Sequence, residues 1–227
     1  MHIREDLPIM PLNSVLFPGA PASLYIEEQR YRRMLANCLA EDGIFGVALL
    51  KAGKEVGGSG IPHTVGTLAK IAQVTKLPDD SSIVLARGAQ RFRISSISQL
   101  SPVVEADVEV LDEQVASGAA DSRMLVTARD AMAELLSLML QALGHKDVEP
   151  PIPEDLVALS YAAAVHVQAP LAVQQRLLEA PSAAERLEMA MPMLRKEIGY
   201  YRVMLAAQKQ RDEMGADDDQ GSLFSRN

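Results

Sequence analysis

The sequence predicts an α+β protein: a β-sheet subdomain that holds one helix, followed by a small bundle of four helices. Two observations predict this order. Up to about residue 115, short apolar runs are separated by turn residues, as in the strands of a sheet. After about residue 120, apolar residues recur at intervals of three and four, the spacing of one helix face. We therefore expect a β subdomain at residues 1–115, a helical bundle at 116–213 and an acidic, disordered tail at 214–227.

The first part contains six predicted strands. In the last of them, Val104, Ala106 and Val108 share one face while the acidic residues between them share the other, as in a strand buried on one side. A helix at about 28–41 has its apolar residues on one side and fits between the second and third strands. A Gly-rich segment at 57–60 is predicted to be a flexible hairpin tip. The predicted strands span residues 7–12, 22–26, 44–50, 65–77, 83–97 and 103–111.

The second part contains the four predicted helices, at about 121–143, at 153–167, a short one from Pro170, and a long last one. The last helix has the clearest start, because Ser182 and Glu185 have the spacing of a capping box, in which each side chain accepts a backbone N–H of the other residue. Pro192 lies inside this helix and lacks an N–H, so we expect a kink near it.

Composition excludes several classes of protein. The net charge is −8 and neither half of the chain is basic, so neither offers an evident footprint for nucleic acid or anionic lipid. The single cysteine excludes an internal disulfide and a cysteine metal cluster. The sequence has neither the apolar core of a signal peptide nor a run of about 18 apolar residues to span a bilayer. We expect a cytoplasmic protein without membrane contact.

Motifs for catalysis are missing from the sequence. Gly53-Lys54 lacks the flanking Gly and Ser/Thr of a phosphate-binding loop, and neither a zinc-protease helix motif nor a Gly-x-Ser-x-Gly elbow occurs. Cys38, on the apolar face of its predicted helix, is predicted to be a buried small hydrophobe rather than a nucleophile. His166 lies among Ala and Val and is predicted to be half-buried and structural. We predict no catalytic residue, no metal site and no cofactor.

Several segments resemble the substrate-binding domain of Lon proteases. The run LPIMPLNSVLFPG at residues 7–19 is similar to the first strand of that family and its LFPG turn. EQRYRRM at 28–34 resembles the family's EPRYRxM helix start, with Gln29 in place of the usual Pro. The matching segments keep the family's order over residues 7–198, which makes the resemblance specific. Further matches are FGV at 45–47, VGTLAKI at 65–71, GAQRFRI at 88–94, QRLLE at 175–179 and ERL at 185–187.

This resemblance implies both a fold and a role. The fold is a twisted, partly closed β-sheet of PUA-like type followed by a helical bundle. The role is polypeptide recognition without catalysis, because the ATPase and protease modules of full-length Lon have no counterpart in this sequence. The expected ligands are unfolded or extended polypeptides. A protease or a chaperone is the expected partner of a module that acts as an adaptor or in protein quality control.

An RNA-binding protein is the alternative function, because PUA-like folds also occur in such proteins. Lys70, Arg87, Arg91 and Arg93 could form a basic strip for RNA. We favour the interpretation that these residues pair with the acidic residues at 105, 107 and 109 on a solvated sheet face. An enzyme with an unrecognised site is the least favoured class.

A polypeptide site is expected at the junction of sheet and bundle, because clefts form where subdomains meet. An apolar concavity, with an open sheet edge, would suit such a ligand. The candidates from the sheet are Phe17, Tyr25 and Tyr31. For Phe17 and Tyr31 we favour the alternative that they are core residues.

Methionine indicates where the bundle would contribute to the site. Of the 11 Met, eight lie after residue 120, and Met is common on surfaces that bind varied partners. Met132, Met139 and Met191 fit core positions. Three others lie off the main apolar seam of the last helix and are the candidates for an exposed patch: Met189, Met193 and Met204.

Overall fold

The computed structural model of the protein describes residues 2–55, 60–113, 119–145 and 148–221. The predicted subdomain boundary at 115 and 116, most of the predicted hairpin tip at 57–60 and the last residues of the predicted tail lie outside these ranges. Within them, strands precede a group of helices in the predicted order, so the α+β prediction is confirmed. Among the described residues, no helix combines the length and apolar character that crossing a membrane requires.

Seven strands form the β subdomain in the described residues. The six predicted strands are all present, and the first begins earlier than predicted, at His2. The additional strand, β4, has three residues and is too short to show the alternation on which the prediction relied. The strands are β1 (His2–Leu12), β2 (Pro21–Ile26), β3 (Ile44–Gly53), β4 (Gly60–Pro62), β5 (Val65–Lys76), β6 (Ser82–Gln99) and β7 (Val104–Val110).

Five of these strands form a closed ring. The order β1-β7-β6-β5-β3 is antiparallel, and a parallel pairing of β1 with β3 closes it. The fully buried Ile9, Phe92 and Val108 fill the inside of the ring. A side chain at Gly66 would place its Cβ 2.5 Å from the carbonyl oxygen of Val47 and 2.6 Å from the Phe92 ring. Glycine at this position therefore allows the strands to close around Phe92.

β2 lies outside the ring, in a three-stranded extension. It pairs with residues 82–87 of β6, whose opposite side pairs with residues 71–76 of β5. The inner face of the extension packs against helix α1 (Gln29–Ala40), where Ile26, Leu35 and Val84 belong to one buried cluster. The outer face carries exposed side chains from β2 and β6.

The four predicted helices of the second part are present: α2 (Ala119–Ala142), α3 (Leu156–His166), α4 (Leu171–Glu179) and α5 (Ala183–Gly221). α3 begins three residues later than predicted, because the Asp155 carboxylate accepts the Ala158 N–H at 2.8 Å and caps the helix there. The fully buried Met132, Leu159 and Leu187 lie in the bundle core. Phe17 from the β subdomain lies in the same core cluster, so the two parts share one apolar interior.

The start of α5 differs in one detail from the predicted capping box. The Ser182 hydroxyl accepts the Glu185 N–H at 3.2 Å, as predicted. The Glu185 carboxylate instead accepts the Ser182 hydroxyl at 3.0 Å, rather than the Ser182 N–H. Pro192 lies inside α5, and the kink near it stays a prediction.

The end of α5 also differs from the sequence expectation. The α5 backbone is helical to Gly221, beyond residue 213, where we expected the bundle to end and disorder to begin. The prediction of disorder gave weight to the acidic charge of the segment after residue 212. Gly215 and the three consecutive Asp residues at 217–219 are poor helix formers, so local propensity does not account for the helical backbone of this segment.

Candidate functional site

A buried polar cluster joins the β subdomain to the bundle. Arg91 of β6 is only 3% exposed, and its Nε lies 2.7 Å from Glu113 Oε1. Its Nη1 donates to the carbonyl oxygens of Leu178 and Ala180, at 2.8 and 2.7 Å. These carbonyls belong to the end of α4 and its connection to α5, so Arg91 ties the sheet to the bundle.

Arg186 of α5 is fully buried in the same cluster. It donates to Leu177 O at 3.0 Å and to Ser160 Oγ at 2.7 Å, and its guanidinium lies 3.9 Å from the centre of the Tyr161 ring. The Tyr161 hydroxyl donates to Glu113, which faces both arginines. Burial raises the pKa of Tyr161 and lowers that of Arg186. Tyr161 therefore remains a protonated donor at neutral pH.

The burial of Arg91 contradicts the proposed basic strip. Arg91 is ion-paired inside the protein rather than solvated, so the four basic residues do not form one continuous surface. Arg87 donates to Gly19 O at 3.1 Å and Lys70 donates to Asp42 O. Arg93 alone lies opposite one of the predicted acidic residues, Glu109, in the β6–β7 register. The sheet-face interpretation is therefore wrong for the other three, whose partners are Glu113, Gly19 and Asp42. The structure thus offers no support for the RNA-binding alternative.

The three aromatic candidates do not come together. Phe17 is 3% exposed in the core cluster of the bundle, whereas Tyr31 is 8% exposed in the cluster under α1. Burial raises the pKa of Tyr31, as expected for a core phenol. Both side chains are therefore core residues, the alternative favoured for them from the sequence. Tyr25, in contrast, is 57% exposed on the outer face of β2.

The methionine candidates do not form an exposed patch. Met189 and Met193 are half-buried and pack against the bundle core, and Met204 is half-buried further along α5. The expectation of exposure was wrong because neighbouring helices cover α5 on more than the one seam that its apolar spacing showed. Met132 and Met191 are buried in the core, as predicted. Met139, predicted with them, is half-buried and packs against the same core.

Two of the concave sites in the described residues bear on these candidates. A pocket of about 240 Å³ lies at the predicted junction, and none of the six candidate residues lines it. Its lining includes Leu111 and Val157 beside Tyr161. A larger groove, about 550 Å³, lies along α1, with Met34 and Cys38 in its lining. Burial raises the pKa of the Cys38 thiol to about 11, so this residue stays protonated at neutral pH and is a poor nucleophile.

Histidine and metal chemistry find little support in the described residues. His166 is half-buried, with Nδ1 2.8 Å from Ala162 O, as predicted for a structural residue. Among the residues that the structure describes, no three His, Cys, Asp or Glu side chains are grouped to hold a metal ion.

An exposed apolar surface lies on the outer side of the three-stranded extension. Tyr25 of β2 lies directly opposite Ile83 of β6, and Leu85 follows two residues later on the same face, beside Ser23. The exposed fractions of Tyr25, Ile83 and Leu85 are 57%, 37% and 43%. We call these four residues the outer β2–β6 face. Large apolar side chains that adjoin on a strand face are candidates for binding.

The sequence interpretation included Tyr25 but missed Ile83 and Leu85. Residues 83–86 are apolar on both strand faces, because Val84 and Ala86 alternate with Ile83 and Leu85. Such a run predicts a strand buried on both sides, so the exposed side was not distinguishable. The signal that could have found it is that only one helix is predicted within the β subdomain, and one helix can cover only one face of these strands.

The fold defines a class of protein that is already represented among solved structures. A crystal structure of a Lon N-terminal domain protein from Xanthomonas campestris matches 85% of this chain and 98% of that one, with a TM-score of 0.63 and 22% identity. The N-terminal domain of a Lon protease from the Mycobacterium avium complex matches 84% of this chain and 98% of its own, with a TM-score of 0.61 and 20% identity. These likenesses establish the fold.

Sequence comparison establishes the family. Residues 6–196 match the sequence model of the ATP-dependent protease La (LON) substrate-binding domain, and the chain belongs to this family. Lon protease 2 of Myxococcus xanthus is 27% identical over 204 residues, 86% of this chain and 24% of that protein. The Lon protease of Escherichia coli (strain K12) is 29% identical over 208 residues, 88% of this chain and 26% of that protein. The chain spans about a quarter of the length of these relatives.

Proposed function

We propose that this protein is a non-catalytic recognition module that binds unfolded or extended polypeptides on the outer β2–β6 face. Membership of a substrate-binding family supports a recognition role. The observation that carries the proposal is the exposure of Tyr25, Ile83 and Leu85 side by side. An unfolded chain offers apolar side chains that a native protein conceals, so such a face would discriminate between the two forms.

The exposed areas indicate weak, reversible binding. Each large apolar side chain gains about 1.5–3 kcal/mol on full burial, and these three are already partly covered. Association also costs several kcal/mol in lost translation, rotation and side-chain freedom. A micromolar complex requires about 8 kcal/mol, so we expect weaker than micromolar affinity from these side chains alone, which suits a module that must release many different chains.

The test compares a reduced, unfolded model protein with its native form, by fluorescence anisotropy. Wild type should prefer the unfolded form, and Leu85→Ser and Tyr25→Ser should weaken that binding. Val203→Ser is the matched control, because Val203 is 72% exposed and lies on α5, away from the outer face. Equal binding of native and unfolded forms by wild type would overturn the proposed function. If Val203→Ser weakens binding as much as Leu85→Ser does, the outer β2–β6 face is not the binding site.

The cellular role that fits this activity is that of a cytoplasmic adaptor or quality-control factor, which presents bound segments to a protease or a chaperone. Binding without hydrolysis requires such a partner if the client is to be degraded or refolded. A pull-down from native lysate with wild type and with Leu85→Ser tests this role. A protease or chaperone that wild type recovers and the variant loses would support it, and recovery of RNA in place of protein would contradict it.

A further inference from the structure

The closed ring leaves β2 as an edge strand. Ring strands have neighbours on both sides, so closure removes most free edges from the sheet. β2 pairs with β6 and with no other described strand, so one side of its backbone has no strand partner in the part of the chain that the structure describes.

The register identifies the groups on that free side. The Gly88 N–H donates to Ala20 O at 2.9 Å, so the backbone carbonyl of Ala20 faces β6. Ala22 and Leu24 lie opposite Ala86 and Val84 at alternate positions of the same strand, so their backbone groups also face β6. Antiparallel strands alternate the direction of their backbone groups, so the N–H and C=O of Ser23 and Tyr25 point away from β6. No described residue hydrogen-bonds these groups.

This edge lacks the features that protect free strands from pairing. Edge strands are commonly blunted by Lys, by Pro inside the strand or by a bulge. The opposite edge of the extension, residues 71–76 of β5, has such features: a register shift between Ile71 and Gln73, and Lys76 at its end. β2 has a regular register from Pro21 to Ile26, with its proline at the first position, where no ladder donor is lost.

We propose that the free edge of β2 binds its ligand by strand addition, so that an extended polypeptide segment becomes an eighth strand beside Ser23 and Tyr25. This inference rests on the proposed function and specifies its ligand. The added strand directs alternate side chains to the two faces of the extension. On the outer face they contact Tyr25. On the inner face they cover Ala22 and Leu24, which are half-buried and pack against the cluster under α1.

The ligand class follows from these two faces. A segment that is apolar on both sides, such as a Val/Ile/Phe run, contacts apolar surface on each face of the added strand. Runs of this kind form the interior strands of folded proteins and are accessible only when those proteins unfold. The backbone of Ser23 and Tyr25 supplies affinity that does not depend on side-chain identity, so many clients share one site.

The experiment uses a Lys-flanked Val/Ile/Phe peptide and the full-length protein. One peptide carries N-methyl groups on two adjacent central amides, so that one central donor facing β2 is blocked whichever side of the peptide pairs. Ser23→Pro removes the outward N–H of β2 at a position where an edge strand tolerates proline, and Ser23→Ala is its matched control. Circular dichroism verifies the fold of each variant, and the methylated peptide tests the same pairing on the wild type.

We expect both N-methylation and Ser23→Pro to weaken binding by about tenfold, and Ser23→Ala, which keeps the backbone N–H, to weaken it less than Ser23→Pro does. If the methylated peptide binds wild type as tightly as the plain one while Leu85→Ser still weakens binding, the strand-addition inference is overturned and the proposed function stands. If neither the peptide nor an unfolded protein binds wild type, the proposed function itself is overturned. If Ser23→Pro abolishes self-association instead of peptide binding, the occupant of the edge is a second copy of this chain, which also overturns the inference.

Discussion

Removal of the Glu113 side chain should strongly destabilise the fold. Its carboxylate faces the guanidinium groups of Arg91 and Arg186, whose exposed fractions are 3% and 0%. Glu113→Ala would leave both cations buried without a counter-ion, a change that typically costs about 3–5 kcal/mol. Arg91 keeps its acceptors at Leu178 and Ala180, and the Glu113 side chain is 22% exposed, so we expect about 2–3 kcal/mol.

Urea unfolding followed by circular dichroism measures this loss. Glu113→Gln keeps an oxygen for Arg91 and Tyr161 but removes the charge, so it should cost about half as much as the Ala variant. Asp112→Ala is the matched control, because its side chain is exposed next to Glu113 in the chain and should change stability by at most about 0.5 kcal/mol. Equal stability of Glu113→Ala and Asp112→Ala would refute the conclusion that this cluster joins the two subdomains.

Four further predictions concern single features. Ser182→Ala should lower the free energy of unfolding by about 1 kcal/mol, because it removes the hydroxyl that accepts the Glu185 N–H. A urea unfolding curve identical to that of wild type would contradict this prediction. Iodoacetamide should alkylate native Cys38 about a hundredfold more slowly than the unfolded chain at neutral pH, because burial raises the pKa of the native thiol to about 11. Mass spectrometry measures both rates, and equal rates would show that the native thiolate is accessible. Homogeneous protein should neither hydrolyse ATP nor cleave casein above a mock purification. RNA binding at physiological salt should be weak and non-specific, and a sub-micromolar, sequence-selective complex would restore the RNA-binding alternative.

Local periodicity was sufficient to predict all of the described helices and every described strand except β4. Alternation identified β7, and spacings of three and four identified the helices, because both patterns are read within one element. Ring closure was not predictable in this way, since the parallel pairing of β1 with β3 depends on two distant segments. The β4 strand and the exact start of α3 were missed because very short strands and cap side chains leave weak local signals.

The site was less predictable than the fold for a related reason. Arg91 was placed on a solvated face because charged residues in alternating strands usually face water. Its acceptors, the carbonyls of Leu178 and Ala180, belong to a different subdomain, and nothing near Arg91 in the chain indicates them. Ile83 and Leu85 present the converse case, since apolar residues that the sequence suggests are buried remain exposed where no element covers them.

The closed ring also determines when this protein can finish folding. β1 pairs with β7 from His2 opposite Val110 to Ile9 opposite Val104, so the first strand must wait for nearly half of the chain before it finds its antiparallel neighbour. Pairings between such distant segments require a large loop-closure entropy and slow the folding of β proteins. During synthesis on the ribosome, β3 is available to β1 first, and the antiparallel side of β1 stays open until β7 has emerged. We expect this open side to be prone to aggregation at that early stage.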